Sequence, residues 1–100
     1  MIVEPIEVVK TPLYEDTVTS ISDPIAQKAI RRRETRFQVG LMGTCDPVGN
    51  GVLEAKVDVG AGYRIYLKQR GKKYIILLCV GDKSSQKSDI VRAKKLAEQY

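Results

Sequence analysis

The stretch that decides the fold, residues 51–83, reads GVLEAKVDVGAGYRIYLKQRGKKYIILLCVGDK. Its first part, residues 53–59, alternates apolar and polar side chains, which is the period of a half-buried strand. The segment 60–62 (GAG) follows, and glycine favours turns because it reaches backbone angles that other residues avoid. These signals predict a first strand that ends in a tight turn.

The second half of the stretch repeats the pattern. Residues 63–68 alternate again, and residues 70–72 (RGK) mark another turn. Residues 74–80 are almost continuously apolar, which is typical of a strand covered on both faces. The stretch therefore predicts an antiparallel meander of three strands.

The expected register brings two cations together. A tight loop centred on Gly60 places Lys56 directly opposite Arg64, on the same face of the sheet. Like charges at such positions destabilise a strand pair by roughly a few tenths of a kcal/mol or more. A bound polyanion would turn this repulsion into attraction, whereas the alternative is that two solvated cations simply splay apart.

Helix signals precede the meander. Residues 5–10 form a candidate strand, and Thr11-Pro12 resembles a helix start with Thr11 as the cap. The β-branched residues that follow favour only a short helix. Asp23-Pro24 is a second start signal, and apolar residues at helical spacing predict an amphipathic helix to about Val39.

The remaining segments complete a small α+β domain over residues 1–100. The glycine and proline content of residues 40–50 (GLMGTCDPVGN) predicts a loop. After the meander, a final helix is expected from about Gln86 or Ser88 to Glu98, with one broad apolar face on the sheet. Strand, two helices, three strands and helix form an α+β layout.

Charge is distributed unevenly along the chain, which carries a formal net charge of +5. Residues 1–50 contain six Lys/Arg and seven Asp/Glu, whereas residues 51–100 contain eleven and five. A basic half favours a phosphate backbone or an acidic protein segment as partner, and it is also compatible with ordinary solubility.

The sequence lacks the residues that several classes of function require. The chain has no histidine, and Cys45 and Cys79 are too far apart to form a CxxC pair, so we expect no structural zinc, no other metal and no cofactor. No Walker loop, GxGxxG motif or Ser-His-Asp set is present. No apolar run approaches a membrane span and the first ten residues do not resemble a signal peptide, so we expect a cytoplasmic protein with no membrane partner.

One reaction suits a site built from Lys, Arg, Tyr, Asp and Glu. RNA is cut when its own 2′-hydroxyl attacks the adjacent phosphate. The reaction needs a base for that hydroxyl, an acid for the leaving 5′-oxygen, and cations for the charge of the phosphorane. A lysine acts as the base only where nearby cations and burial disfavour its protonated form.

The motifs between residues 40 and 97 resemble the RelE/ParE toxin superfamily, most closely its HigB-like branch of addiction-module killer proteins. The residues before them match this family only in the outline of a strand and two helices. The matching segments are residues 49–54 (GNGVLE), 60–66 (GAGYRIY) and 80–86 (VGDKSSQ), and Asp89-Ile90 with Ala93.

This resemblance implies a RelE-like fold with a curved antiparallel sheet formed by the N-terminal strand and the meander. It implies the toxin of a type II toxin-antitoxin module, an endoribonuclease that cuts mRNA at the ribosomal A site and so inhibits translation. The implied partners are the ribosome with its mRNA and a cognate helix-turn-helix antitoxin in a hetero-oligomeric complex. The alternatives are a ParE-like inhibitor of DNA gyrase and a non-catalytic binding module with the toxin fold.

Three catalytic residues are implied by position in the family motifs. Arg64 matches the family's Gly-Tyr-Arg arginine, which would stabilise the negative charge or donate a proton at the scissile phosphate. Lys83 matches the lysine after the last strand, which would bind phosphate or assist catalysis. Lys56 stands where the family has arginine or lysine in its Glu-Leu-Arg strand.

Further RNA contacts are expected around these three residues. By alternation, Tyr63 is expected in the core and Tyr66 exposed beside Arg64, where it could stack on bases. Glu54 is expected to be an ordinary surface acid, although it could instead orient Lys56. The alternative for Arg64 is a sheet-face cation that simply pairs with Glu54 or Asp58. The candidate RNA-binding residues are Tyr66, Lys68, Arg70, Arg32 and Arg36, of which the helical arginines could equally be a solvated face.

Overall fold

The computed structural model describes residues 6–100 and confirms an α+β fold. The first residue of the expected N-terminal strand, Pro5, lies outside the described residues. The elements in chain order are β1 (Glu7–Lys10), α1 (Pro12–Thr19), α2 (Pro24–Gln38), β2 (Cys45–Gly49), β3 (Val52–Val57), β4 (Tyr63–Arg70), β5 (Tyr74–Asp82), a 3₁₀ turn (Lys83–Ser85) and α3 (Gln86–Ala97).

The five strands form one mixed sheet in the order β1-β5-β4-β3-β2. The meander β3-β4-β5 is antiparallel as predicted, with Lys56 opposite Arg64 in the observed register. The N-terminal strand joins the sheet, but it pairs with β5 in parallel, so the sheet is not wholly antiparallel.

Strand β2 corrects the prediction of a loop over residues 40–50. The segment Cys45–Gly49 pairs antiparallel with β3 at the edge of the sheet. Pro47 suggested a loop because proline lacks a backbone donor, yet an edge strand tolerates it. Gly49, Asn50 and Gly51 all have positive φ angles (102°, 58° and 76°), and together they turn the chain tightly into β3.

Helices cover both faces of the sheet. One face packs against α1 and α2 through a core that includes Tyr14, Ile30 and Phe37 from the helices. The other face packs against α3 through a second core that includes Ala93 and Ala97. Burial on both sides explains the continuous apolar run of β5, as predicted from the sequence.

An irregularity in β5 changes which residues face α3. Tyr66 pairs with Cys79 and Leu67 pairs with Leu77, so Leu78 is an extra residue in β5. As a result Leu78 and Cys79 both belong to the core under α3, although they are adjacent in sequence.

Both N-terminal helices begin at the expected caps. The hydroxyl of Thr11 accepts a hydrogen bond from the backbone N–H of Tyr14 (3.1 Å) and donates one to the carbonyl of Leu78 (2.6 Å). Asp23 accepts hydrogen bonds from the backbone N–H groups of Ile25 and Ala26. Thr11 therefore fixes the start of α1 against β5.

A buried acid joins the N-terminal elements. Glu34 accepts a hydrogen bond from the hydroxyl of Tyr14 (2.8 Å), and it forms ion pairs with Lys10 (3.0 Å) and Arg31 (3.1 Å). Arg31 also hydrogen-bonds Glu15, and this bond is the main reason why the pKa of Glu15 lies below its usual value.

None of the helices between residues 6 and 100 has the length and apolar character that crossing a membrane requires.

Replacing Thr11 by alanine should destabilise the fold. The change removes both the cap of α1 and the buried hydrogen bond to β5, so we expect a loss of about 1–3 kcal/mol in the free energy of unfolding. Thr35→Ala is the matched control because Thr35 is exposed and its hydroxyl bonds only to Arg31 within its own helix. Urea denaturation measures both, and equal effects would contradict the role of Thr11.

Candidate functional site

The candidate site lies at the end of the sheet where the β3–β4 hairpin turns. Lys56 and Arg64 are opposite each other on the face that packs against α3, and Gly81 of β5 is opposite Arg64 on its other side. Lys56 is exposed, whereas Arg64 is only 9% exposed. The sequence therefore predicted the pairing of these two cations correctly, but not the burial of one of them.

Arg64 is held beside a buried acid. Its Nε atom lies 3.7 Å from Oε1 of Glu54, which is 4% exposed. This distance is too long for a hydrogen bond, and the buried Nε makes none with the described residues. The expectation that Glu54 is a surface acid is wrong, whereas the alternative pairing of Glu54 with Arg64 is observed.

Two neutral groups fix the carboxylate of Glu54. The hydroxyl of Tyr66 and the side-chain amide of Gln86 each donate a hydrogen bond of 3.0 Å to Oε2. Burial, followed by the hydrogen bond to Glu54, raises the pKa of Tyr66 above its ordinary value. Gln86 is the first residue of α3, so the site joins β3, β4 and α3.

Lys83 lies at the same end of the sheet. It starts the 3₁₀ turn directly after β5, and a Cβ placed on Gly62 would be 3.8 Å from Lys83 Cβ. The three sequence-predicted catalytic residues thus lie at the same end of the sheet: Lys56 and Arg64 flank the β3–β4 hairpin turn, and Lys83 directly follows β5.

Asp89 is a buried acid whose position the sequence did not reveal. It accepts a hydrogen bond of 2.5 Å from the hydroxyl of Ser85. Its carboxylate packs directly over Gly81, where a Cβ would lie only 1.8 Å from Oδ2. The absence of a side chain at Gly81 therefore lets α3 approach the sheet next to Arg64.

The candidate RNA-binding residues of β4 do not all surround the site. Tyr66 is fully buried, so the prediction that it is exposed is wrong, whereas Tyr63 is partly buried and packs against the core under α1 and α2, on the side that was predicted. Lys68 donates a hydrogen bond from Nζ to the carbonyl of Ala97 (2.9 Å), near the end of α3. Arg70 is exposed at the opposite end of β4 from Arg64.

The arginines of α2 border a surface cleft that reaches the site. A cleft of about 830 Å³ lies between α2, the segment that leads into β2, and β3, and Arg36 and Lys56 both line it. Arg32 lines an adjoining cleft of about 240 Å³ together with the same two residues. Arg33, by contrast, is engaged within the fold, because it donates hydrogen bonds to the carbonyls of Met42, Thr44 and Lys56.

The described residues form no obvious metal site or reactive thiol. No group of three or more His, Cys, Asp or Glu in residues 6–100 is placed to hold a metal ion. Burial raises the pKa of the Cys79 thiol to about 12, and it also raises that of Cys45.

Comparison with known proteins finds one clear relative. An uncharacterized protein of Haemophilus influenzae is 37% identical to the chain over 94 residues, which cover 94% of this chain and 95% of that protein. The chain belongs to the same family as that protein. No family model matches the chain.

Removing the hydroxyl of Tyr66 should weaken the fold more than removing an exposed one. Tyr66→Phe takes one of the two neutral donors from the buried carboxylate of Glu54, so we expect a loss of about 1–3 kcal/mol in the free energy of unfolding. Tyr74→Phe, at a side chain that is 43% exposed, should change it by less than about 0.5 kcal/mol. Guanidinium chloride denaturation compares the two variants, and equal losses would exclude a stabilising Tyr66–Glu54 bond.

Proposed function

We propose that the protein is the toxin of a type II toxin-antitoxin module and cuts mRNA on the ribosome. The observation that carries this proposal is that Lys56, Arg64 and Lys83 all lie at one end of the sheet. These are the three positions that the resemblance to HigB-like toxins marks as catalytic.

In the proposed reaction the 2′-hydroxyl of a ribose attacks the adjacent phosphate. A P–O2′ bond forms, the P–O5′ bond breaks, and the products are a 2′,3′-cyclic phosphate and a 5′-hydroxyl. Arg64 would stabilise the charge of the phosphorane, and Lys83 would bind the same phosphate group. The exposed Lys56, directly opposite Arg64, is our candidate for donating a proton to the leaving 5′-oxygen, while the proton of the 2′-hydroxyl passes to water.

The surfaces around the site suit a polyanion. The cleft that Lys56 shares with Arg36 and Arg32 offers positive charge next to Lys56, on the α2 side of the site. We therefore retain these two arginines as RNA contacts, and we retain Arg70 only as a contact with a more distant part of the ribosomal complex. Tyr66 and Lys68 are engaged within the fold and are no longer proposed as RNA contacts.

The proposed partners follow from the proposed function. They are the ribosome with its mRNA, and a helix-turn-helix antitoxin that forms a hetero-oligomeric complex with the toxin. Both would be met in the cytoplasm.

The proposal is tested by primer extension on a model mRNA in a purified translation system, with and without ribosomes. We expect cuts only with ribosomes, and a loss of about 100-fold or more in the rate for Arg64→Ala, because a cation at the phosphorane is removed. Arg92→Ala is the matched control, since Arg92 is exposed on α3 outside the site, and it should cut at the native rate.

The other outcomes separate the alternatives. Cuts that persist in a folded Arg64→Ala variant would retain the function and reject the site. An absence of cuts from a folded native chain would contradict the nuclease. Inhibition of purified DNA gyrase would then favour the ParE-like alternative, and no inhibition would favour a non-catalytic binding module.

A further inference from the structure

Glu54 connects Arg64 to a neighbouring strand of the sheet and to α3. Its Oε2 atom accepts two hydrogen bonds, one from Tyr66 on the neighbouring strand and one from Gln86 on α3. Its other oxygen, Oε1, forms the ion pair with Nε of Arg64. Two donors on one oxygen fix the orientation of the carboxylate and so direct Oε1 at the guanidinium.

This arrangement gives the two sides of the guanidinium different partners. Arginine binds a phosphate through two parallel N–H···O hydrogen bonds. Attraction of Nε to Glu54 leaves the two terminal nitrogens as the donors for a phosphate group. At 3.7 Å the contact between Nε and Oε1 is electrostatic rather than a formed hydrogen bond, so a short movement of the side chain toward Glu54 would complete it.

Stability alone explains this pair poorly. A buried ion pair often contributes little to folding, because removing both charges from water costs about as much as their attraction returns. Here the pair is buried and Arg64 Nε lacks a hydrogen bond with any described residue. Two apolar side chains at positions 54 and 64 would fill the same space without that cost. The charges are therefore better explained by what Arg64 does than by what the fold requires.

We infer that Glu54 is a positioning residue for Arg64: its buried carboxylate, oriented by Tyr66 and Gln86, holds the guanidinium by its Nε side and presents the terminal nitrogens to the scissile phosphate. The inference rests on the proposed cleavage activity. Glu54 is only 4% exposed, so we place it behind Arg64 and out of contact with the RNA. Its effect is therefore on the rate of the chemical step rather than on binding of the ribosomal complex.

The first arm of the test compares the same substitution, glutamate to glutamine, at two positions. Glu54→Gln removes the charge that holds Arg64 but keeps an oxygen for the Tyr66 hydroxyl. Its single-turnover cleavage rate at saturating ribosome–mRNA complex should fall about 10- to 100-fold, with the half-saturating concentration unchanged within about twofold. Glu7→Gln, at an exposed position on β1, should leave both values native. A native rate in Glu54→Gln would overturn the inference.

The second arm uses a probe that a merely structural role would not affect. Arg64→Ala leaves a space beside Glu54 that ethylguanidinium fits, since this cation replaces the missing end of the arginine side chain. Ethylguanidinium at millimolar concentration should restore part of the cutting by Arg64→Ala and raise its thermal midpoint. The double variant Arg64→Ala/Glu54→Gln should show neither effect, and an equal response in both variants would overturn the inference.

The thermal readout keeps the two proposals distinguishable. If the native chain cuts no RNA, the proposed function fails, yet the midpoints still report whether Glu54 holds a guanidinium at this place. A midpoint raised only while Glu54 is present supports the holding of Arg64, and an unchanged midpoint in folded Arg64→Ala rejects it. Circular dichroism establishes that each variant is folded before either arm is interpreted.

Discussion

The pairing of β3 with β4 is the constraint on which the polar end of the sheet depends. The register sets Lys56 opposite Arg64 and Glu54 opposite Tyr66, so all four side chains share the face that packs against α3. Because side chains alternate between faces, a slip of one residue would carry those of β4 to the face that packs against α1 and α2. The apolar residues between them would be displaced in the same way, so the core and the site require one and the same register.

Two polar networks of the fold, around Glu34 and Glu54, are built on buried acids and differ in how fully the negative charge is compensated. Glu34 has two cations, Lys10 and Arg31, at about hydrogen-bond distance, and these contacts join β1 and α2. Glu54 has one cation, held at 3.7 Å. A buried charge is stabilised in proportion to its partners. The first network is well suited to holding elements together, whereas the second leaves its arginine incompletely satisfied.

Local signals in the sequence were sufficient for most of the fold. The alternating runs of β3 and β4, the apolar run of β5 and the caps Thr11 and Asp23 all report backbone preferences that act over a few residues. Strand β2 was missed because proline and glycine dominate it, and only pairing with β3 makes it a strand. The parallel pairing of β1 was missed because its partner lies more than sixty residues away in the chain and leaves no local signal.

The site was less predictable because burial there is decided by α3. Alternation correctly put Arg64 and Tyr66 together on the face opposite to that of Ile65, but it could not show that helices cover both faces. Once α3 covers the second face, an acid there must find donors, and Gln86 supplies one from 32 residues away. The same helix that buries Glu54 therefore orients it. An arginine next to such an acid has less freedom of movement, which is the condition under which a cation stabilises a developing charge without first having to reorganise.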